Sequence, residues 1–435
     1  MSRALKEIDG RVILYPCLIF LSILLLLFNN LYCFVTINVV LVFLLVFLMK
    51  YDMKNPALLW TTIFILYQIS YPILNSLGIK VFEFCSLNSH YYLFSWVATV
   101  SFLVFYGSFK NVSYSNHKIK MELNTYFLKI LYAVLLLLCI GSSLYIIANG
   151  YQSKYELASS SNIILSIGNM AYIALGILPM FFAFSDKTSR KEKIAIAIIT
   201  FLIMLLGMFT YGERSYVFNY ILVMMICYSV LRRVTIKKLA FIVVSVVLFF
   251  SVSSSLKMLF TSTSYSNSSN SNEGIIVSFL NSDFASAGFN FNYLLNKDAG
   301  GVLGGRSYVY DLLSPLDGVI DLSSFSSTKW YTNQYWGTRK TGLGFSIIGE
   351  GYVNFGFFGI VLQMAIIARM LKYFYLRSSK NGYYFIIYTG LLALSAYSCR
   401  QALGNIISPW VKYYVLMTFL ILFVNKLIVS KKASV

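Results

Sequence analysis

The sequence predicts an all-α protein that crosses a membrane about twelve times and carries one long external loop. Composition is the first ground. Of 435 residues, 58% are hydrophobic, 17% aromatic and only 12% charged, against about 25% charged in soluble domains. The second is recurrence: apolar runs of roughly 18 or more residues, enough to span a bilayer as helix, follow one another along the chain. The third is charge placement. A formal charge of +19 could indicate nucleic acid, but the Lys and Arg sit in short clusters between apolar runs, which is a topology signal. No nucleic-acid partner is expected.

The first run is too long for a cleaved signal peptide, and a second follows almost at once. Spans are expected near 12–28, 31–49, 57–74, 91–109, 126–148, 162–184, 193–210, 214–231, 236–253, 353–371, 383–399 and 409–429. Placing Arg3, Lys6 and Arg11 in the cytoplasm puts 24 of the 35 basic residues on the inner side and 11 outside. The inner connections carry Lys50/Lys54, Lys187/Arg190/Lys191/Lys193, Arg232/Arg233/Lys237/Lys238 and Arg369/Lys372/Arg377/Lys380. By the positive-inside rule both termini are cytoplasmic.

Three regions follow: spans one to nine over 1–253, an external loop over 254–344, and a glycine-rich, bent or re-entrant segment with the last three spans over 345–435. A loop of that length is usually functional. It opens on "TSTSYSNSSNSN", nearly all Ser, Thr and Asn, and should be flexible. In the next stretch Ile276, Phe279, Leu280, Ala287, Phe291 and Leu294 recur at helical spacing. That spacing predicts an amphipathic helix on the outer membrane surface.

Six cysteines lie mostly inside spans with no CxxC pair, and His90 and His117 are far apart. Neither a disulfide framework nor a metal site is expected, and no cofactor. The chemistry should instead lie among the outward-facing charges. The outer arginines are few: Arg214 in "YGERSY", Arg306 and Arg339 in the long loop, and Arg400 in "SAYSCRQALGN". Arginine suits bidentate phosphate binding, so the four together fit a pyrophosphate. Each alone could equally snorkel to lipid headgroups. External acids are Glu213, Asp283, Asp298, Asp311, Asp317 and Asp321. Asp283 would lie over the bundle if its helix rests on the membrane. Asp317 and Asp321 in "PLDGVID" read as a turn rather than a metal motif. Trp330, Tyr331, Tyr335, Trp336 and Tyr352 offer rings on which sugars stack, or an interfacial belt.

The stretch "TGLGFSIIGEGYVNFGFFGIV" places a carboxylate, Glu350, among glycines and apolar residues. On a helix Ser346, Glu350 and Asn354 form one polar stripe, i, i+4 and i+8. An ionised Glu at the membrane centre would cost roughly 2.5–3.5 kcal/mol. Glu350 is therefore expected at the outer edge of the bilayer, facing a cavity as a base or paired structurally with an arginine. Ser346 and Asn354 would hydrogen-bond its carboxylate or a sugar.

This stretch resembles the glycine-rich G-x-S-x-x-x-E-x-Y-x-N-F-G segment of the Wzy-type O-antigen or capsular polysaccharide polymerases. "GERS" at 212–215 resembles that family's arginine at the mouth of a hairpin, and many spans with one long loop match its plan. The resemblance implies a GT-C-like glycosyltransferase of the bacterial cytoplasmic membrane, acting on its outer face. It implies transfer of a glycan from an undecaprenyl-pyrophosphate carrier to the distal sugar of a new lipid-linked repeat unit. The products would be lipopolysaccharide O-antigen or capsule. Membrane lipid and a chain-length regulator (copolymerase) are the implied partners. Arg214 and Glu350 carry over by motif; Arg400, Arg339 and Arg306 do so by location. Glu350 is the first choice of base, Asp283 or Glu213 the second. Tyr352, Asn354, Trp336, Tyr335 and Ser346 are the candidate sugar contacts.

Three alternatives share the membrane plan. A lipid-linked oligosaccharide flippase would need charges along a passage, whereas these spans are nearly free of charge. An O-antigen ligase would be expected to place a histidine in its long loop, and 254–344 contains none. A secondary transporter would show a repeat between halves.

Overall fold

A computed structural model describes residues 10–433 except 110, 115–120, 122, 152–156, 158–161, 233–234, 236, 239–244, 246–247, 249–274, 318–319 and 338–343. Among the described residues the chain is helical, with no strand beyond isolated bridges.

The first half is a series of apolar helices: α1 Gly10–Leu27, α2 Leu31–Met49, α3 Pro56–Ser76, α4 Tyr91–Tyr106, α5 Thr125–Ala148, α6 Ile163–Phe184, α7 Arg190–Thr210 and α8 Ser215–Leu231. Short polar caps set their starts. The side chains of Asn30, Asn55, Asn124 and Asn162 each accept a backbone N–H of the first turn. Ser189 and Glu192 form a capping box at α7. The second half holds α9 Ile275–Phe279, α10 Ala285–Asn296, α11 Arg306–Leu313, α12 Ser327–Tyr335, α13 Ile347–Arg377, α14 Gly382–Tyr397, α15 Gly404–Pro409 and α16 Met417–Ala433. Residues 404–428 run as one apolar helix through a π-helical turn at Trp410–Leu416.

Among the described residues, eight helices are long and apolar enough to cross a membrane, and α4 and α8 are shorter apolar helices. This is a polytopic helical membrane protein. The expected ninth span, 236–253, and the Ser/Thr/Asn tract lie largely outside the described residues. Large side chains such as Leu27, Phe47, Leu137 and Phe358 are exposed on the bundle's exterior. In a bilayer such side chains meet lipid, so they need no protein partner. The centre is built on α3, α4, α13 and α14. There Trp60 stacks on Phe64 and Phe102 at 4.7 and 3.9 Å, and Tyr388 donates to the carbonyl of Lys54.

The loop does not lie on the membrane surface as an amphipathic helix. From Ala285 to Leu295 every residue of α10 is buried, although Ile276 just before it is exposed. The reason is its all-round composition: Ala, Gly and Phe fill every face, and the two asparagines find partners inside. Asn292 Nδ2 donates to the carbonyl of Ser86 at 3.0 Å and its Oδ1 accepts the N–H of Asn88 at 2.8 Å. Asn290 Oδ1 accepts the Tyr331 hydroxyl at 2.9 Å. A Cβ on Gly288 would stand 2.6 Å from the Tyr91 hydroxyl, so only glycine lets α10 sit this deep.

The glycine-rich stretch folds back on itself. Within α13, Phe355 (φ −142°, ψ 29°) and Gly356 (φ 59°, ψ −140°) leave helical geometry. Gly356 supplies the positive φ that an L side chain resists. The limbs on either side then touch backbone to backbone. A Cβ on Gly359 would fall 1.8 Å from the carbonyl oxygen of Gly351.

Candidate active site

Glu350 sits in the first turn of α13 with 0% of its surface exposed. It faces no open cavity. Its Oε1 accepts the hydroxyls of Ser307 at 3.1 Å and Ser327 at 2.7 Å. Its Oε2 accepts Gln363 Nε2 at 3.2 Å and the backbone N–H of Leu403 at 2.6 Å. These four donors are neutral, and they come from α11, α12, the second limb of α13 and the start of α15. Asn354 Nδ2 supports the set, donating to Ser307 Oγ at 2.7 Å and to the Glu350 carbonyl at 2.8 Å. Ser346, the third member of the expected stripe, stands at the N-cap position of α13 without a side-chain capping bond, and its hydroxyl is buried and unpaired.

Beside Glu350 lies a second carboxyl, one of the six external acids of the sequence and not among the candidate bases. Asp311 on α11 is 1% exposed, and its Oδ1 accepts the N–H of Gly404 at 2.8 Å. Its Oδ2 is buried with no donor. Burial first, and the adjacent Glu350 second, raise the Asp311 carboxyl far above its ordinary range, to about 10. Two carboxyls so placed hold one proton between them, as like charges in one dry site must. The raised carboxyl of Asp311 is the one that keeps the proton. Together the pair caps the amides that open the last helix, which would otherwise be orphaned.

The capped segment has a second face. Ser398, Gln401 and Asn405 line a cavity of about 240 Å³ whose other walls come from α6, α7 and α8. Glu213 lines it from the α7–α8 connection, and Ser215 Oγ donates to Glu213 Oε2 at 3.4 Å. Arg214 is the N-cap residue of α8, next to Glu213 in the chain, and Arg400 closes the turn Ser398–Arg400, next to Gln401. The two arginines therefore follow and precede residues that line one cavity from different parts of the chain. The Arg400 guanidinium lies 4.9 Å from the Tyr397 ring and donates to the Tyr397 hydroxyl. The N–H of Phe345 donates to the Arg400 carbonyl at 2.7 Å, which ties this turn to the glycine-rich stretch.

The remaining candidates scatter. Arg306 is exposed over the Phe325 ring, 5.5 Å away, and precedes Ser307. Arg339 lies outside the described residues. Asp283 belongs to the π-helical turn Leu280–Phe284, and its side chain is also outside what is described. Tyr352 is buried, packed over Gly300 with Phe94 and Phe291 alongside. Trp336 is buried against Tyr293 and Phe289, and half-buried Tyr335 lies edge-on to Trp330. All six cysteines are free, and no three His, Cys, Asp or Glu side chains gather as a metal site among the described residues. The sequence does carry a signal for what was missed: Asn169, Asn219 and Gln363 are amides inside apolar helices, and polar side chains at such depth need a reason.

A family model described as O-antigen polysaccharide polymerase Wzy matches residues 321–433, about a quarter of the chain. The matched segment contains Ser327, Glu350, Asn354, Gln363, Arg400 and Leu403. It supports the Wzy-type family and, with it, polysaccharide polymerisation on lipid-linked repeat units by an integral membrane protein. No curated protein and no solved structure shows significant similarity to the chain.

Proposed function

We propose that this chain joins undecaprenyl-pyrophosphate-linked repeat units into O-antigen or capsular polysaccharide at the outer face of the bacterial cytoplasmic membrane, in the manner of a GT-C glycosyltransferase. One observation carries the placement of the site. The segment Ser398–Asn405 is clamped on one side by Glu350 and Asp311, and on the other it lines the cavity that holds Glu213.

Arg214 and Arg400 neutralise the pyrophosphate of the donor, so that it leaves the anomeric carbon as a lipid pyrophosphate. The acceptor hydroxyl attacks that carbon and gives its proton to Glu213, forming the new glycosidic bond. Glu350, whose lone pairs are occupied by four donors, acts through Leu403: it is a positioning residue that fixes the turn carrying Arg400. The basic clusters on the opposite ends of the helices support the outward orientation.

Purified protein incubated with defined lipid-linked repeat units should yield a ladder of longer glycans. No ladder from intact protein would refute polymerisation. A single transfer to a non-repeat acceptor would indicate a ligase instead.

A further inference from the structure

Toward the end of α13 that is far from Glu350 in the chain, a groove of about 480 Å³ lies between α1 and α4. That is within the usual roughly 300–1,000 Å³ of ligand sites. Tyr15, Leu18, Ile19 and Ser22 of α1 and Val100 and Val104 of α4 line it. Leu18 is its buried floor, and Ile19 and Val104 are exposed on its rim. Its polar atoms ask little of an occupant. Ser22 Oγ already donates to the Leu18 carbonyl at 2.7 Å and accepts Trp96 Nε1 at 2.8 Å. The walls suit a hydrocarbon chain.

One end of the groove meets positive charge. A carbon built on Gly107, which follows α4, would stand 3.6 Å from the Tyr15 hydroxyl and 3.8 Å from Lys372 Nζ. The groove-lining tyrosine and the ammonium of α13 therefore converge on one spot. Arg369 stands one turn before Lys372 on the same face of α13, and Arg11 stands one turn before Tyr15 on the groove face of α1. Lys372 lies within electrostatic reach of both arginines. Among the described residues neither Arg369 nor Lys372 forms a salt bridge. Like charges held together repel, and a phosphate between them removes the repulsion.

We infer that this is a binding site for one anionic phospholipid of the leaflet at this end of the bundle. An acyl chain lies in the groove between α1 and α4, and the headgroup phosphate lies against Lys372 and Arg369. Charge complementarity selects the headgroup: a lipid of net negative charge gains from the cations, whereas a zwitterionic lipid brings its own cation to the same place. The site is separate from Glu350 and from the cavity that holds Glu213, and it does not depend on the polymerase reading.

Native mass spectrometry of the detergent-purified full chain tests this, with dioleoyl phosphatidylglycerol and dioleoyl phosphatidylcholine added in equal amounts. The phosphatidylglycerol adduct should exceed the phosphatidylcholine adduct at least several-fold. Arg369→Gln and Lys372→Gln should each erase most of that preference. Val104→Trp fills the groove while leaving every cation in place, and it should lower the phosphatidylglycerol adduct several-fold. Arg369 and Val104 are exposed, so their variants serve even where Lys372→Gln fails to fold. Equal retention of the two lipids in the wild type would mean ordinary lipid contact and overturn the inference. So would an undiminished preference in Arg369→Gln, or an undiminished adduct in Val104→Trp. Glycerol phosphate competing as well as the whole lipid would show that the groove holds no chain, which also overturns it.

Discussion

Glu350 and Gln363 hydrogen-bond at 3.2 Å although thirteen residues separate them in one helical segment. A straight helix would hold them about 20 Å apart. The contact exists because the chain reverses at Phe355 and Gly356, and Gly351 and Gly359 let the two limbs meet. Glu350 then has within reach the external loop, through Ser307 and Ser327, and the last helix, through Leu403. A single carboxylate fastens four separate pieces of chain.

Glu350→Gln should therefore destabilise the protein as well as slow it. A glutamine offers one accepting oxygen, and whichever way the amide turns, two of the four donors meet its NH₂. Each buried group left unpaired costs about 1–3 kcal/mol. The midpoint of thermal unfolding in detergent should fall together with chain extension. A variant of wild-type stability that loses about 10²–10⁴-fold in rate would instead make Glu350 the base.

Asp311 gives the clamp a pH dependence with a definite sign. Its carboxyl is held at about 10 in the folded protein, against an ordinary value of 3.8. The folded state therefore binds the proton more tightly than the unfolded state. The stabilisation is complete below the unfolded value and is lost as pH rises toward 10. Asp311→Asn keeps the acceptor for Gly404 and replaces the shared proton with an amide N–H. It should be close to wild type at neutral pH and should flatten the loss of stability between about pH 7 and 10. Unchanged pH dependence in this variant would place the titrating group elsewhere.

Much of this was legible in the sequence, and the reasons differ by element. Apolar runs with asparagine caps mark the helices, because bilayer length and helix-end chemistry are local properties. The oddity of Glu350 among glycines was also legible, since charge near a membrane is costly. Its partners were not, because Ser307, Ser327, Asp311 and Gln363 meet it only after the chain has reversed. The insertion of α10 was hidden for a related reason. Its Phe residues read as one apolar face, while the burial of Asn290 and Asn292 depends on Tyr331, Ser86 and Asn88, far away in sequence.

Gly359→Ala should break the hairpin. Its new methyl would overlap the Gly351 carbonyl, a backbone group that cannot rotate away. Overpacking of this kind costs about 1–3 kcal/mol or more. Unfolding in detergent should come at a clearly lower temperature. Gly301→Ala is a control for glycine replacement away from such packing, since nothing lies within 4 Å of its added carbon, though its φ of 78° carries some strain. Equal stability of Gly359→Ala and wild type would contradict the reversal.

Glu213→Gln addresses the base itself. Glu213 lines the cavity from a connection between helices and is only half-buried, so the replacement should leave unfolding unchanged. Chain extension should fall about 10²–10⁴-fold. Retained activity would move the search to Asp283.

Arg214 and Arg400 offer the sharpest distinction between chemistry and anchoring. Both stand next in sequence to cavity-lining residues, and the Arg400 guanidinium is positioned by Tyr397. If they hold the pyrophosphate, Ala at either position should abolish extension while the protein still inserts and unfolds normally. Lys preserves the charge but loses the planar fork, so it should restore only part of the rate. Tyr397→Phe should weaken extension through Arg400 alone, and its effect should vanish in the Arg400→Ala background, as coupled residues require. A lipid-anchoring arginine predicts the opposite pattern: Lys would serve fully, since it snorkels as well as arginine does. Full activity in both Ala variants, measured on lipid-linked repeat units, would show that the pyrophosphate is held elsewhere.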